Sequence, residues 1–355
     1  MGMTSEKKRP VAVLGAGSFG ISVANLLATH DQVLLYSRSI ESIEEMNREH
    51  CKKGYKLHDN ITATNDLESI LKECHLIFPV VPSYAFRDLM RTISPMLHPY
   101  HILIHGTKGL DIQIPEGKTL DDIENLSRKE VKTMSEVIAD ETSVIRVGCL
   151  AGPNLAKELA DNQPAATVVA SHFEEVISMG IKHLRNDRFQ VYGNSDLIGI
   201  ELAGVLKNII AIAAGALHGL GMGENAKGLL ISRGMIEIMY MGRAMGGDLR
   251  AFLGLAGIGD LVATCNSTHS RNFTVGYRLA KGEKLDSIIE SMDEVAEGVN
   301  TIKIMKRLTN YYKVRAPITQ ALYTVLYKDV SAEEALQYLM NIPFNVDIEF
   351  LKKLD

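Results

Sequence analysis

Two lysines, an aspartate and an arginine lie in surroundings that could do chemistry. Lys207 falls within Gly204-Val-Leu-Lys-Asn-Ile-Ile-Ala-Ile212, and its helical neighbours at i±3, i±4 and i±7 are Ala203, Gly204, Ile210, Ala211, Ile200 and Ala214. A helix that is apolar nearly all round is expected to be buried. Burial lowers a lysine pKa, which suits it to give and take a proton near neutrality. The competing reading is the usual solvated surface lysine. Asp260 closes Gly254-Leu-Ala-Gly-Ile-Gly-Asp260, a glycine-rich loop. Its carboxylate could position a buried lysine, or serve only as a loop or cap residue. Ser270-Arg271-Asn272 precedes a helical run from Phe273. Ser270 and Asn272 are natural caps, while a helix start carrying an arginine also suits a phosphate. Lys108, in Gly106-Thr-Lys-Gly109, and Gly152-Pro153-Asn154, opening a helix over 154–160, follow apparent strands.

These residues need a frame, and the N-terminal sequence supplies one. Val11-Ala-Val-Leu14 reads as a buried strand, Gly15-Ala16-Gly17-Ser18-Phe19-Gly20 follows at once, and Ile21 to Thr29 is a helical run. This is G-x-G-x-x-G between a strand and a helix, the context in which it cradles a dinucleotide. Gly15 permits the turn, Gly17 lets backbone approach a pyrophosphate, and Gly20 lets helix pack on strand. The helix start adds free N–H groups and a partial positive charge. The second strand runs into Ser37-Arg38-Ser39, where an NAD-selective site carries an acid for the ribose hydroxyls. A guanidinium there suits a 2′-phosphate, which favours NADPH and leaves NADH open. FAD is disfavoured for want of that acid.

Strand patterns at 11–14, 32–37, 75–81, 101–105, 144–150, 166–170 and 188–192 alternate with helical or charged segments at 41–50, 83–91, 119–139 and 173–184. This predicts an α/β fold with a doubly wound parallel sheet. In such sheets ligands lie beyond the carboxyl ends of the strands, here after Leu14, Ser37, Val81, His105 and Leu150. From Asn194 on, strand signals vanish and helices are predicted over 195–219, 224–246, 273–281, 285–290, 299–312, 317–327 and 331–340. The expected division is a dinucleotide-binding domain over 1–193 and an all-helical substrate domain over 194–355.

The chain has 355 residues, 46% hydrophobic and 23% charged, with a net charge of −5, so nothing marks it as a nucleic-acid binder. Cys51, Cys74, Cys149 and Cys265 are scattered without zinc spacing, which predicts no metal and a reducing, cytoplasmic setting. His101 and His105 flank an apparent strand and read as surface or strand-end histidines. Gly2 lacks the Ser or Thr that myristoylation needs at position 6, which is Glu6. The Lys-Lys-Leu-Asp terminus is not the peroxisomal signal. The apolar run Ile198 to Leu220 is broken by Glu201, Lys207 and Asn208 and reads as a buried helix, not a membrane span.

The ordered motifs Gly15–Gly20, Val80-Val-Pro-Ser83, Thr107-Lys-Gly109, Gly152-Pro153, Lys157-Glu158, Val205-Leu-Lys-Asn208, Gly257-Ile-Gly-Asp260, Ser270-Arg-Asn272 and Glu297-Gly298 resemble the soluble, bacterial-type, nicotinamide-dependent glycerol-3-phosphate dehydrogenases. The resemblance implies reversible reduction of dihydroxyacetone phosphate to sn-glycerol 3-phosphate for phospholipid synthesis, by a homodimer. It implies Lys207 as general acid/base and Lys108 near both cofactor and substrate. Gly152, Asn154, Asp260, Ser270, Arg271 and Asn272 would surround the substrate, with Arg271 on or near its phosphate. Ser18, Phe19, Arg38, Ala156, Val295 and Glu297 would line the cofactor site, with Arg271 close by. Two positions depart from the family pattern: Asn154 stands where Ser or Thr is usual, and Phe19 where Trp or Tyr is usual. The alternatives are a 3-hydroxyacid or 6-phosphogluconate type dehydrogenase, or a non-catalytic NADP-sensing module.

Overall fold

The computed structural model describes residues 8–115 and 117–343. Gly2, Glu6 and the Lys352–Asp355 terminus, on which the lipidation and targeting readings rest, lie outside the described residues.

The apolar runs of the first half become eight strands of one sheet. They are β1 (Val11–Leu14), β2 (Val33–Tyr36), β5 (Ile61–Thr64), β6 (Leu76–Pro79), β7 (Ile102–His105), β10 (Arg146–Ala151), β11 (Ala165–Ser171) and β12 (Phe189–Asn194). Two short hairpins, β3 (Cys51–Lys52) with β4 (Tyr55–Lys56) and β8 (Asp111–Ile112) with β9 (Val131–Lys132), stand apart from it. The sheet order is β5-β2-β1-β6-β7-β10-β11-β12. Its first six strands are parallel and reproduce the 3-2-1-4-5-6 order of a dinucleotide fold, with the switch point between β1 and β6. Helices α1 (Ser18–Ala28), α2 (Ile40–Glu49), α3 (Leu67–Glu73), α4 (Ser83–Ile93), α5 (Met134–Glu141), α6 (Ala156–Ala160) and α7 (Glu174–Leu184) complete this half.

Three local expectations are corrected. β11 runs antiparallel to β10, so the sheet is not parallel throughout. The only helix between them, α6, has five residues and rises about 8 Å. Six-residue β10 extends about 20 Å, so the chain doubles back before it can cross over. Residues 119–139, expected as a helical or charged segment, are α-helical only from Met134 on. Leu120, Leu126 and Val131 are buried as separate anchors, and Asp122, Glu130 and Glu136 each accept from the backbone N–H three residues earlier. β5 and α3 fill a stretch in which no element was expected.

The second half is helical: α8 (Leu197–Gly219), α9 (Glu224–Ala244), α10 (Leu249–Leu253), α11 (Asp260–Asn266), α12 (Arg271–Ala280), α13 (Leu285–Glu290), α14 (Glu297–Tyr312), α15 (Pro317–Tyr327) and α16 (Ala332–Met340). The glycine-rich stretch before Asp260 is not a loop but a π-helical turn, Leu255–Gly259, running straight into α11. α8 is the spine of the molecule. It packs on β10 and is surrounded by α9, α11, α12 and α14. It is long and apolar enough to cross a membrane, yet 94% of its most apolar window is buried inside the protein. Asp196 caps it, accepting from Gly199 N at 2.9 Å. α12 crosses α8 backbone to backbone: a Cβ on Gly276 would lie 1.8 Å from the Ile212 carbonyl oxygen, and one on Gly215 would lie 1.9 Å from that of Phe273. No side chain fits at that crossing, so the start of α12 is fixed relative to the helix that carries Lys207.

Candidate active site

The carboxyl ends of β1, β6 and β7 meet the starts of α11, α12 and α14 around a cleft of about 450 Å³. On the nucleotide side, Gly15 has φ +124°, and a Cβ there would lie 2.3 Å from the Val80 carbonyl oxygen. A Cβ on Gly20 would lie 1.9 Å from the Gly15 carbonyl oxygen, so the turn closes only with glycine at both positions. Gly17 differs: within 4 Å, a Cβ there would meet only the Glu294 carboxylate, at 3.8 Å. The flank of the turn is therefore open toward the cleft, beside the start of α1, as a diphosphate requires. The residues present fit a dinucleotide. Phe19 packs its ring edge against Gly106, while Ala156 and Val295 also line the cleft. Arg38 is exposed between β2 and α2 and is not part of the cleft lining.

The chemistry-bearing residues converge on Asp260. Lys207 Nζ lies 2.9 Å from Asp260 Oδ1, and Lys108 Nζ lies 2.6 Å from Oδ2. Lys207 also donates to Thr264 Oγ1 at 2.5 Å, and Lys108 donates to the Gly152 carbonyl at 3.1 Å. The Thr264 hydroxyl donates to the Asp260 carbonyl at 2.6 Å, one turn back on α11. Lys207 is 5% exposed and Asp260 2%. The expected burial of Lys207 is thus borne out. Burial pushes its ammonium down to about 8; Asp260 opposes that shift and Lys108 adds to it. Burial alone would raise the Asp260 carboxyl, but Lys108 and then Lys207 outweigh it and hold the group below the usual carboxylate range. The result is one carboxylate between two lysines, the buried one lowered toward neutrality.

Other expected residues stand at the rim. Ser270 caps α12, accepting from Phe273 N at 3.2 Å, as its capping reading predicted. Arg271 points its guanidinium at the Val295 carbonyl (3.0 Å) and the Glu294 carboxylate (3.3 Å). Asn272 is buried and accepts from Gly298 N at 2.9 Å. Asn154 lines the cleft, but both ends of its amide are engaged by β11: it donates to the Ala166 carbonyl at 3.0 Å and accepts from Thr167 Oγ1 at 2.8 Å. Glu297 accepts from Ser83 N at 2.8 Å and Ser83 Oγ at 2.5 Å, joining α14 to α4.

Three features went unread in the sequence. Thr264 is one, although its i+4 spacing from Asp260 was available. Glu294 is another; it lies on the loop between α13 and α14 and reaches Ser18. The third is a buried link beneath the cleft. His105 Nε2, at the end of β7, lies 2.9 Å from Glu201 Oε1 on α8, and Ser135 N donates to that same oxygen at 2.9 Å. His101 Nε2 donates to the Leu71 carbonyl oxygen at 2.9 Å. Both histidines are buried, not at the surface, because β7 is an interior strand. A second cavity of about 400 Å³ lies among α8, α9, α12, α15 and α16. Its lining is mainly apolar, with Leu217, Leu230, Leu322 and Leu336, and lacks the lysines and the glycine turn.

The family models of the NAD-dependent glycerol-3-phosphate dehydrogenase N-terminus and C-terminus match residues 10–177 and 196–337. The chain belongs to the NAD-dependent glycerol-3-phosphate dehydrogenase family. It is 39% identical over 348 residues to a glycerol-3-phosphate dehydrogenase [NAD(P)+] of Ectopseudomonas mendocina, covering 97% of each chain. The corresponding Staphylococcus aureus (strain USA300) protein is 39% identical over 336 residues, 93% of this chain and 97% of that one. The crystal structure of glycerol-3-phosphate dehydrogenase from Coxiella burnetii superposes with a TM-score of 0.83 at 32% identity, covering 94% of this chain and 99% of that one. This member of the family is thus a nicotinamide-dependent dehydrogenase in sequence and in fold, with an N-terminal Rossmann-like half followed by a helical half.

Proposed function

We propose that the protein interconverts dihydroxyacetone phosphate and sn-glycerol 3-phosphate, with NADPH preferred to NADH and Lys207 as proton donor and acceptor. The observation that carries this reading is the Lys108–Asp260–Lys207 cluster opening into the cleft that the glycine turn borders. A bound nicotinamide supplies or accepts the hydride. During reduction, negative charge grows on the carbonyl oxygen, and the Lys207 ammonium meets it and gives up its proton. A group poised at about 8 can also take that proton back in the reverse direction. Asp260 and Thr264 hold Nζ in place, and Lys108 adds a second positive charge. Arg271 and the first amides of α12 are the groups that would bind the substrate phosphate, fixing the ketone for attack. Gly15, Gly17, Ser18 and Gly20 would hold the pyrophosphate, and Phe19, Ala156, Val295 and Glu297 the rest of the cofactor. Arg38, at the end of the second strand, supports NADPH. On this reading residues 1–193 serve the nucleotide and 194–355 the substrate, and the product feeds phospholipid synthesis in the cytoplasm.

The test is consumption of reduced nicotinamide with dihydroxyacetone phosphate, run with NADPH and with NADH. Turnover that Lys207→Ala lowers on the order of 10²–10⁴-fold is the expected result. Folded, nucleotide-binding protein inert toward this ketone but active on a 3-hydroxyacid or 6-phosphogluconate would refute the substrate. Near-wild-type turnover in the variant would remove Lys207 from its role.

A further inference from the structure

Among the donors at the start of α1, the Ser18 N–H and hydroxyl are both taken by one side chain. Glu294 Oε1 accepts from Ser18 N at 3.1 Å and from Ser18 Oγ at 2.6 Å. The same oxygen is the group nearest the open flank of Gly17. The other oxygen, Oε2, lies 3.3 Å from Arg271 Nη1. One carboxylate therefore spans the donors of the dinucleotide cradle and the arginine at the start of α12. Burial alone would raise this carboxyl, but Ser18 and Arg271 hold it below the ordinary glutamate value, so it is an anion at neutral pH.

An N–H and a hydroxyl that serve one anion cannot also serve another. A diphosphate lying along Gly17 and Ser18 would bring negative charge onto the Glu294 carboxylate, in a partly desolvated cleft where like charges repel strongly. Arg271 is divided in the same way, since a phosphate would have to draw it from Glu294. Both oxygens belong to one rigid group, so moving Oε1 off Ser18 moves Oε2 relative to Arg271.

We propose that Glu294 competes with the cofactor's diphosphate for Ser18, and that its displacement frees Arg271 for the substrate's phosphate, coupling the two binding events. The inference rests on the functional reading above for the identity of the two ligands. It assigns Glu294 a positioning role: it holds Arg271 back until the nucleotide is bound. Linkage requires the coupling to be reciprocal, so the phosphate ligand must tighten nucleotide binding by the same factor.

The experiment measures binding without turnover. NADPH and glycerol 3-phosphate are both on the reduced side of the reaction and cannot react together, so each can be titrated calorimetrically in the presence of the other. For the unsubstituted protein, NADPH is expected to tighten glycerol 3-phosphate binding about tenfold, within the usual range of coupling between sites. In Glu294→Gln, NADPH alone is expected to bind about tenfold tighter, and the coupling to fall to twofold or less. Glu294→Ala, which removes the acceptor as well as the charge, is expected to match it. Asp293→Asn, which removes a neighbouring charge that makes no contact with Ser18, is the control and is expected to change NADPH binding less than twofold. Unchanged or weaker NADPH binding in Glu294→Gln overturns the proposal. So does undiminished coupling, or an equal gain in Asp293→Asn, which would reduce the effect to net charge. If neither protein binds glycerol 3-phosphate, the substrate reading fails, and the NADPH titrations alone decide the role of Glu294.

Discussion

Replacing Asp260 by asparagine isolates the group that, on the proposed mechanism, keeps the proton on Lys207. The carboxylate lies 2.9 Å from Lys207 Nζ, and its attraction opposes the burial that pulls the ammonium down to about 8. At an effective dielectric of about 20, a pair at 2.9 Å is worth roughly 6 kcal/mol, or about four pK units. The amide still accepts a hydrogen bond and the surroundings relax, so half of that, about two units, is the expected fall. The titration of Lys207 then moves from about 8 to roughly 6. With Lys207 as the proposed proton donor, reduction needs the protonated lysine. Its kcat/KM is therefore level below the apparent pKa and declines above about 8 in the wild type. At pH 7 the protonated fraction drops from about nine-tenths to one-tenth in Asp260→Asn, a roughly tenfold loss from titration alone. Oxidation needs the neutral amine, so its rising limb moves to lower pH by the same amount. The assay is the pH dependence of kcat/KM in both directions, with circular dichroism to show that the variant is folded. A variant whose limb stays at about 8, or moves to higher pH, refutes the argument that Asp260 holds the proton on Lys207.

Three further outcomes follow from other parts of the molecule. Arg38→Ala is expected to raise KM for NADPH about tenfold, some 1.4 kcal/mol, and to leave KM for NADH unchanged; equal effects on both cofactors would disprove the 2′-phosphate reading. Gly276→Ala places a methyl 1.8 Å from the Ile212 carbonyl oxygen and is expected to cost about 2 kcal/mol or more in urea unfolding, with activity falling beyond the loss of folded protein. Glu237 is buried beside α15, accepting from Ile318 N, Thr319 N and Thr319 Oγ1, and burial raises its carboxyl from 4.5 to about 7. The folded state therefore keeps a proton that the unfolded chain has already lost. The stability this confers is fully present below 4.5 and declines by about 3 kcal/mol as pH rises to about 7. Glu237→Gln is expected to flatten that decline, and parallel unfolding curves at pH 5 and pH 7.5 for both proteins would contradict it.

What could be read in advance follows from what is local. The glycine turn, the strand before it and the helix after it are consecutive, so their roles were visible together. Lys207 betrayed its burial because six helical neighbours share its face of α8. Its partners are another matter: Asp260 and Lys108 are 152 residues apart and meet only because β7 and α11 converge. The reversal of β11 was hidden because a buried strand has the same apolar pattern in either direction. β5 was missed because Ile61-Thr-Ala-Thr64 is short and half exposed, an edge strand whose alternation spans only four residues. Asn154 looked free to meet a ligand, but β11, folding back beside it, takes up its amide. Glu294 sits in Asp293-Glu-Val, where no periodicity separates a solvated acid from one that reaches Ser18.

The crossing of α8 and α12 has a mechanical consequence. A helix contact made through side chains can ratchet, since rotamers absorb small displacements. Contact between Gly276 and the Ile212 carbonyl has no rotamers, so the helix carrying Lys207 and the arginine's helix behave as one casting. Whatever opens to admit a ligand must then be the lighter parts around that casting: the loop carrying Glu294 and the strand ends across the cleft.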